Sequence, residues 1–319
     1  MVGTGHGHAA SKARVLSKLP QYDFAGVCRP DPNDPIHGDA FASIRRLQLN
    51  DILNDATIDV VAVEGADPQR NLEHAWRALR AGKHVHLDKP PGADFAGFRD
   101  LLAEADRRGL QIQMGYQWRY HPGMRRLLEA VRNGWLGDIY RFRAVIDKPI
   151  LADERRHLAR YKGGMMFSEG CHLIDLATAA LGEPTKATGL LRHHHRTLED
   201  GLIDNAIALL EYPNAIAEIH MAGFDPNGNQ LRTVEVFGTN GLARVQPFSP
   251  LRLQVNLHQA AGPYAAGDHL DESLDAEGYP YAADFLELFH ILRHAQKPSF
   301  PASHDLFTHR VLLEVCGML

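Results

Sequence analysis

Gly3-Thr4-Gly5-His6-Gly7-His8-Ala9 opens a helical stretch carrying Ala10, Ala13, Leu16 and Leu19. In a dinucleotide-binding fold the first glycine of such a run makes a tight turn and the second lets the backbone approach a pyrophosphate. The helix N-terminus then supplies N–H groups and a positive dipole end. Gly3, Gly5, His6, Gly7 and His8 are therefore candidate cofactor contacts. His8 stands at the third glycine position, so the pattern needs support from its surroundings.

That support is a βαβα rhythm. Strand-length apolar runs at Tyr22 to Cys28, Ile58 to Glu64, His84 to Leu87 and Leu110 to Gly115 alternate with helical spacings. Leu72, Ala75, Trp76 and Leu79 repeat at helical intervals and stop at Gly82. Phe98, Leu101, Leu102 and Ala105 do the same before Gly109. Met124, Leu127, Leu128 and Val131 mark a further helix from Pro122 to Gly134. The pattern predicts a parallel sheet with helices on both faces. Only Met1 and Val2 precede the turn, so the usual central first strand is missing. Five buried apolar residues at roughly 1.5–3 kcal/mol each would match the ~5–15 kcal/mol net stability of a domain. The expectation is that the natural chain has several more N-terminal residues. At the end of the second strand, Arg29 and Asp31 stand about where an adenosine ribose is read. An acid there suits the 2'-hydroxyl of NAD and an arginine the 2'-phosphate of NADP, so Arg29 favours NADP slightly.

After about residue 136 the rhythm changes to strands in succession. Ile203 to Tyr212 and Ala215 to Met221 flank Pro213-Asn214 as a hairpin, and Thr233 to Phe237 with Leu242 to Val245 form another. Helices are expected over Ala282 to Ala295 and His304 to Gly317, and a loop over Gln259 to Pro280. The fold class is α/β: a Rossmann domain over residues 1–122, followed by an α/β domain over 123–319 with a mainly antiparallel open sheet.

Composition bounds the partners. The 319 residues are 45% apolar, enough for sizeable cores, and a formal charge of -5 without a basic stripe argues against nucleic acid. No apolar run reaches the roughly 18–20 residues of a membrane span. Cys28, Cys171 and Cys316 lie far apart, which excludes a disulfide framework and fits a reduced cytoplasm. The 19 histidines raise the question of metal. His193-His194-His195, between Arg192 and Arg196, reads as a solvated edge, and His6 and His8 line the turn. No catalytic metal is expected.

Three further stretches carry a resemblance. They are Ala81-Gly82-Lys83-His84-Val85-His86-Leu87-Asp88-Lys89-Pro90, Gly115-Tyr116-Gln117-Trp118-Arg119-Tyr120-His121-Pro122, and Gly163-Gly164-Met165-Met166-Phe167-Ser168-Glu169-Gly170-Cys171-His172-Leu173-Ile174-Asp175. In order and spacing they resemble the glucose-fructose oxidoreductase, inositol dehydrogenase and rhizopine-catabolism family (Gfo/Idh/MocA). The resemblance implies an NAD(P)-dependent oxidoreductase acting on a sugar, polyol or related hydroxy compound, as a homodimer or homotetramer. Asp88 replaces the family's glutamate beside the cofactor. Lys89 lies just past a buried strand end, where an open sheet places its ligand crevice. It can donate to the substrate oxygen, or act as acid or base if burial and a positive nicotinamide lower its pKa.

His172, with an ordinary pKa near ~6.5, suits proton exchange with an alcohol. The family has an aspartate four residues before it, and here Ser168 stands there with Glu169 beside it. Either Glu169 swings in, or His172 and Lys89 work without a carboxylate. The second is favoured, because one residue on a helix turns a side chain by about 100°. Asp175 orients or caps. Tyr116, Arg119, Tyr161 and Lys162 are candidates for the substrate pocket. Two alternatives stay open: an NAD-dependent redox-assisted glycoside hydrolase or lyase, and a non-catalytic nucleotide- or sugar-binding regulator.

Overall fold

A computed structural model describes the chain except for residues 37, 38, 196, 197, 199 and 275–280. Arg196 and the end of the stretch expected as a loop thus lie outside the described residues. The chain forms two compact units. The first takes Met1–Gln117 and a later stretch ending at Leu306, and the second begins at Trp118 and closes with Phe307–Leu319.

The first unit holds a parallel sheet in the order β1 (Val60–Val63), β2 (His84–Leu87), β3 (Ile112–Met114). Helix α1 (Ala9–Leu16) follows the glycine-rich turn, and α2 (Leu49–Asn54) precedes β1. Helices α3 (Pro68–Arg80) and α4 (Phe95–Arg107) join the strands. Each starts at an aspartate cap: Asp67 accepts from the Gln69 N–H and Asp94 from the Gly97 N–H, both at 2.9 Å. The apolar face of α4 buries Phe98, Leu101 and Leu102, on the order of 5–9 kcal/mol of transfer free energy.

The strand expected over Tyr22 to Cys28 shrinks to a pairing at Val27 and Cys28. Val27 bridges Arg46, and Val2 bridges both Cys28 and Val63. Val2 thus occupies the central strand position alone, donating to Ala62 O at 2.7 Å and accepting from Glu64 N at 2.8 Å. A ladder needs consecutive partners, and one residue supplies only one rung on each side. Below that rung, towards the N-terminal ends of the strands, lies a cavity of about 380 Å³ walled by Met1, Tyr22, Gly26, Val60 and Phe285.

The second unit is built on one sheet. Its strands are β4 (Ile139–Asp147), β5 (Lys186–Arg192), β6 (Asn205–Glu211), β7 (Ile216–Ala222), β8 (Thr233–Gly238), β9 (Gly241–Val245), β10 (Leu253–Leu257) and β11 (Gly267–Asp271). The order is β11-β10-β9-β8-β4-β7-β6-β5, antiparallel except for the central β4–β7 pair, which is parallel. Both expected hairpins form, as β6–β7 and β8–β9. The loop expected from Gln259 departs from the structure at β11, an edge strand whose Asp268, His269 and Asp271 hide the apolar alternation. The expected helix α5 (Pro122–Arg132) precedes β4, and after residue 136 helices also interrupt the strands: α6 (Ala152–Leu158) and α7 (Cys171–Leu181) follow β4, and the short α8 (Gly228–Leu231) comes before β8. Along β6 and β7, Ala206, Ala208, Leu210, Ala217, Ile219 and Met221 are buried, whereas Leu209 and Ile216 on the other face are exposed with Leu190. The last helices are α9 (Ala282–His294), in the first unit, and α10 (Ala302–Val315). No described helix is long and apolar enough to cross a membrane.

Candidate cofactor and active site

The glycine-rich turn sits on the C-terminal side of the first sheet. Gly3 has a φ of +88°, and a Cβ there would lie 2.3 Å from the Gly65 nitrogen, so only glycine fits. A Cβ on Gly5 would meet Ala66 and the Asp34 carboxylate, whereas Gly7 has open space around it. Gly65 is bracketed by Asn71, whose amide accepts from its N–H and donates to its carbonyl, both at 2.9 Å. Asp34, 6% exposed, accepts from the Ala66 N–H at 3.1 Å. Arg29 donates to the carbonyls of Asp34 and Pro32, and Asp31 pairs with Arg70. Sequence reasoning passed over Asp34 and Asn71, because neither lies in a motif and their partners are loop backbone.

Behind the turn lies a buried polar network. Lys12, fully buried on α1, reaches Glu64 at 2.8 Å and Asp88 at 3.0 Å. His86 faces Asp284 of α9 at 3.0 Å and Glu64 at 3.5 Å. Burial works against the charge on Lys12, but Asp88 and Glu64 outweigh it and raise the ammonium pKa. Burial likewise opposes ionisation of Asp88, yet His6, Lys12 and His8 hold its carboxyl well below the usual range. Burial and the neighbouring Asp88 push Glu64 up. Burial lowers His86, but its hydrogen bonds to Asp284 and Glu64 leave it raised overall. Gly115 completes the packing: a Cβ there would come within 2.9 Å of both Lys12 Nζ and Asp88 Oδ1.

Asp88 is the junction. Its Oδ1 accepts from the Lys89 N–H at 2.8 Å, fixing the backbone at the end of β2. His6 Nδ1 lies 2.7 Å and His8 Nδ1 3.2 Å from its Oδ2. Lys89 is 2% exposed and Tyr116 1% exposed in the same unit. His6 and His8, expected along the turn, meet at Asp88. His6, His8 and Asp88 bring three potential ligand atoms within 4.8 Å of one another.

The second unit carries the other candidates. A π-helical turn over Met166–Gly170 runs into α7, a local widening of the helix frequent at functional sites. His172, 1% exposed, stacks on Trp118 with ring centroids 4.8 Å apart. Asp175 takes three hydrogen bonds of 2.6–3.0 Å from the buried Arg119 guanidinium. Arg119, expected in the substrate pocket, is thus held by Asp175. Glu169 pairs with Lys148 at 3.2 Å, and the Ser168 carbonyl accepts from the Cys171 thiol. Tyr161 pairs with His157 at 3.0 Å, and Lys162 donates to the Gly317 carbonyl. His193, expected on a solvated edge, bonds the carbonyls of Leu202 and Leu198.

Comparison with known proteins matches residues 1–116 to the model described as oxidoreductase family, NAD-binding Rossmann fold, and residues 124–244 to the GFO/IDH/MocA C-terminal domain. The chain belongs to the Gfo/Idh/MocA oxidoreductase family. Among curated Gfo/Idh/MocA relatives, the trans-1,2-dihydrobenzene-1,2-diol dehydrogenase of Bos taurus is 27% identical over 209 residues. The match covers 64% of this chain and about 60% of that relative's length. Two solved structures share the fold. GenD2 from gentamicin A biosynthesis, in complex with NAD, has a TM-score of 0.80 at 23% identity, covering 98% of this chain and 91% of its own. UDP-N-acetylglucosamine 3-dehydrogenase GnnA from Acidithiobacillus ferrooxidans has a TM-score of 0.78 at 18% identity, covering 100% and 96%.

Proposed function

We propose that this chain is an NAD(P)-dependent dehydrogenase of a sugar, polyol or related hydroxy compound. The observation that carries the reading is Lys89, 2% exposed at the end of a parallel strand, its backbone locked by Asp88. A buried lysine at that crevice has the reach to hold the proton of a substrate hydroxyl. The diol and sugar-nucleotide dehydrogenases among the similar proteins support the substrate class.

The turn fits a dinucleotide. Gly3 and Gly5 allow close backbone approach, and the open space at Gly7 leaves room for phosphate. Bound there, the nicotinamide would accept or deliver the hydride. Lys89 handles the proton on the reacting oxygen, and His172 is the second acid–base group. Ser168 can only hydrogen-bond, and Glu169 is engaged by Lys148, which supports the reading without a carboxylate relay. The hydrogen bonds of Arg29 to loop carbonyls weaken the case for NADP, and Asp34 beside Gly5 supports NAD. The three buried cysteine thiols favour a reducing, cytoplasmic compartment. Exposed Leu190, Leu209 and Ile216 on the open sheet face support self-association as a homodimer or homotetramer.

Fluorescence titration with NADH and NADPH tests the cofactor, with tighter binding expected for NADH. If neither binds, the oxidoreductase reading is abandoned. Net NADH formation with a panel of sugars and polyols separates a dehydrogenase from a redox-assisted hydrolase or lyase. Lys89→Ala should lower kcat at least 100-fold while changing NADH affinity only a few-fold. Unchanged turnover would remove Lys89 from its role.

A further inference from the structure

We propose that His6, His8 and Asp88 form a binding site for a divalent transition-metal ion such as Zn²⁺ or Co²⁺. The site does not rest on the oxidoreductase reading. Metal–ligand bonds of about 2.1 Å place tetrahedral ligand atoms about 3.4 Å apart. The two imidazole nitrogens lie 2.7 and 3.2 Å from Asp88 Oδ2, and the three candidate ligand atoms all lie within 4.8 Å of one another, so they already cluster on the scale of one ion's ligand shell. Two nitrogens and one carboxylate oxygen select a borderline ion over magnesium or calcium.

The surroundings are built as a metal site requires. Asp88 has a fully buried side chain and is anchored through its other oxygen by the Lys89 N–H, so the carboxylate is presented in one orientation. The side chains of His6 and His8 are 18% and 15% exposed, which leaves an ion a path from solvent. Gln117 Nε2 lies 3.2 Å from the far nitrogen of His8, so ligation through His8 Nδ1 requires the Gln117 side-chain amide to turn its oxygen towards that ring N–H. Lys12 lies between Glu64 and Asp88, at 2.8 and 3.0 Å. Three protein ligands leave a fourth position for water or an anion.

The test uses the whole chain, freed of metal with a chelator and without dinucleotide. Zn²⁺ is titrated by calorimetry and Co²⁺ by its visible d–d absorption. One equivalent should bind in the native chain and equally in His193→Ala/His194→Ala/His195→Ala, which removes the surface histidine run. Affinity should fall at least 100-fold in His6→Ala and in His8→Ala. One-equivalent binding that survives in His6→Ala/His8→Ala would overturn the proposal, and so would the absence of binding in the native chain. Should the variants fail to fold, diethyl pyrocarbonate modification of the native protein, read by mass spectrometry, decides. Zn²⁺ should slow modification of His6 and His8 at least tenfold, and equal rates would overturn the site.

Discussion

Lys12, Glu64 and Asp88 carry ionisable side chains, yet they are fully enclosed. Removing one member of such a set leaves uncompensated charge in a low-dielectric interior. Lys12→Met should therefore destabilise the first unit by about 3–5 kcal/mol, read by denaturant unfolding. Arg119→Ala, which strips Asp175 of its guanidinium, should cost the second unit a similar amount. His309 gives a pH prediction, because burial holds its pKa down at about 3. The unfolded value is near ~6.5, so the unfolded chain binds the extra proton between these limits and stability falls as pH drops through them. From pH 7 to pH 5 the loss assigned to this residue is about 2 kcal/mol, and His309→Leu should remove that share of the pH dependence. An identical pH slope in the variant would refute the assignment. At this scale the sequence was uneven. Lys89 and His172 were legible because they sit in local motifs. Lys12, Asp34 and Asn71 were not, because a lone polar residue reads as solvated until partners as distant in sequence as Glu64 and Asp88 are placed beside it.

Helices α3 and α4 were legible to within a few residues, because spacing, an aspartate cap and a following glycine all agree. The strand from Tyr22 was not, because its apolar residues are right but pairing depends on what lies beside it. Amides 23–26 should consequently exchange with deuterium at least 100-fold faster than those of Val61–Val63, whose strand is paired with β2. Equal protection would mean that the strand is paired over its full expected length. Strand β11 was illegible for the opposite reason: an edge position tolerates Asp268, His269 and Asp271 without an apolar alternation. The π-helical turn at Met166–Gly170 has no sequence signature, yet it sets the helical phase at which Ser168 and Glu169 precede His172.

The division into two units gives the whole molecule separable responses. NADH at a hundred times its Kd should add about 2.7 kcal/mol to the unfolding of the first unit. A shift confined to the second unit, resolved by hydrogen exchange, would place the dinucleotide elsewhere. The proposed self-association through the second unit's open sheet is tested at Leu190 and Ile216. Leu190→Glu with Ile216→Glu should reduce the mass measured by light scattering to that of one chain; an unchanged oligomer would move the interface to another surface. At this scale the two-part plan was legible from the change of rhythm near residue 136. The return of α9 to the first unit was not, since only its contacts with distant residues, such as His86 with Asp284, reveal it.

The missing space at Gly115 has a consequence for how this lineage can vary. A methyl group at that position comes within 2.9 Å of the Lys12 ammonium and the Asp88 carboxylate, so one of the three must shift and positions 12, 88 and 115 are expected to vary together. Among Gfo/Idh/MocA chains, those that replace the lysine by a small apolar residue should be the ones that admit alanine after β3. Covariation of the three columns would record a packing constraint that no single sequence displays.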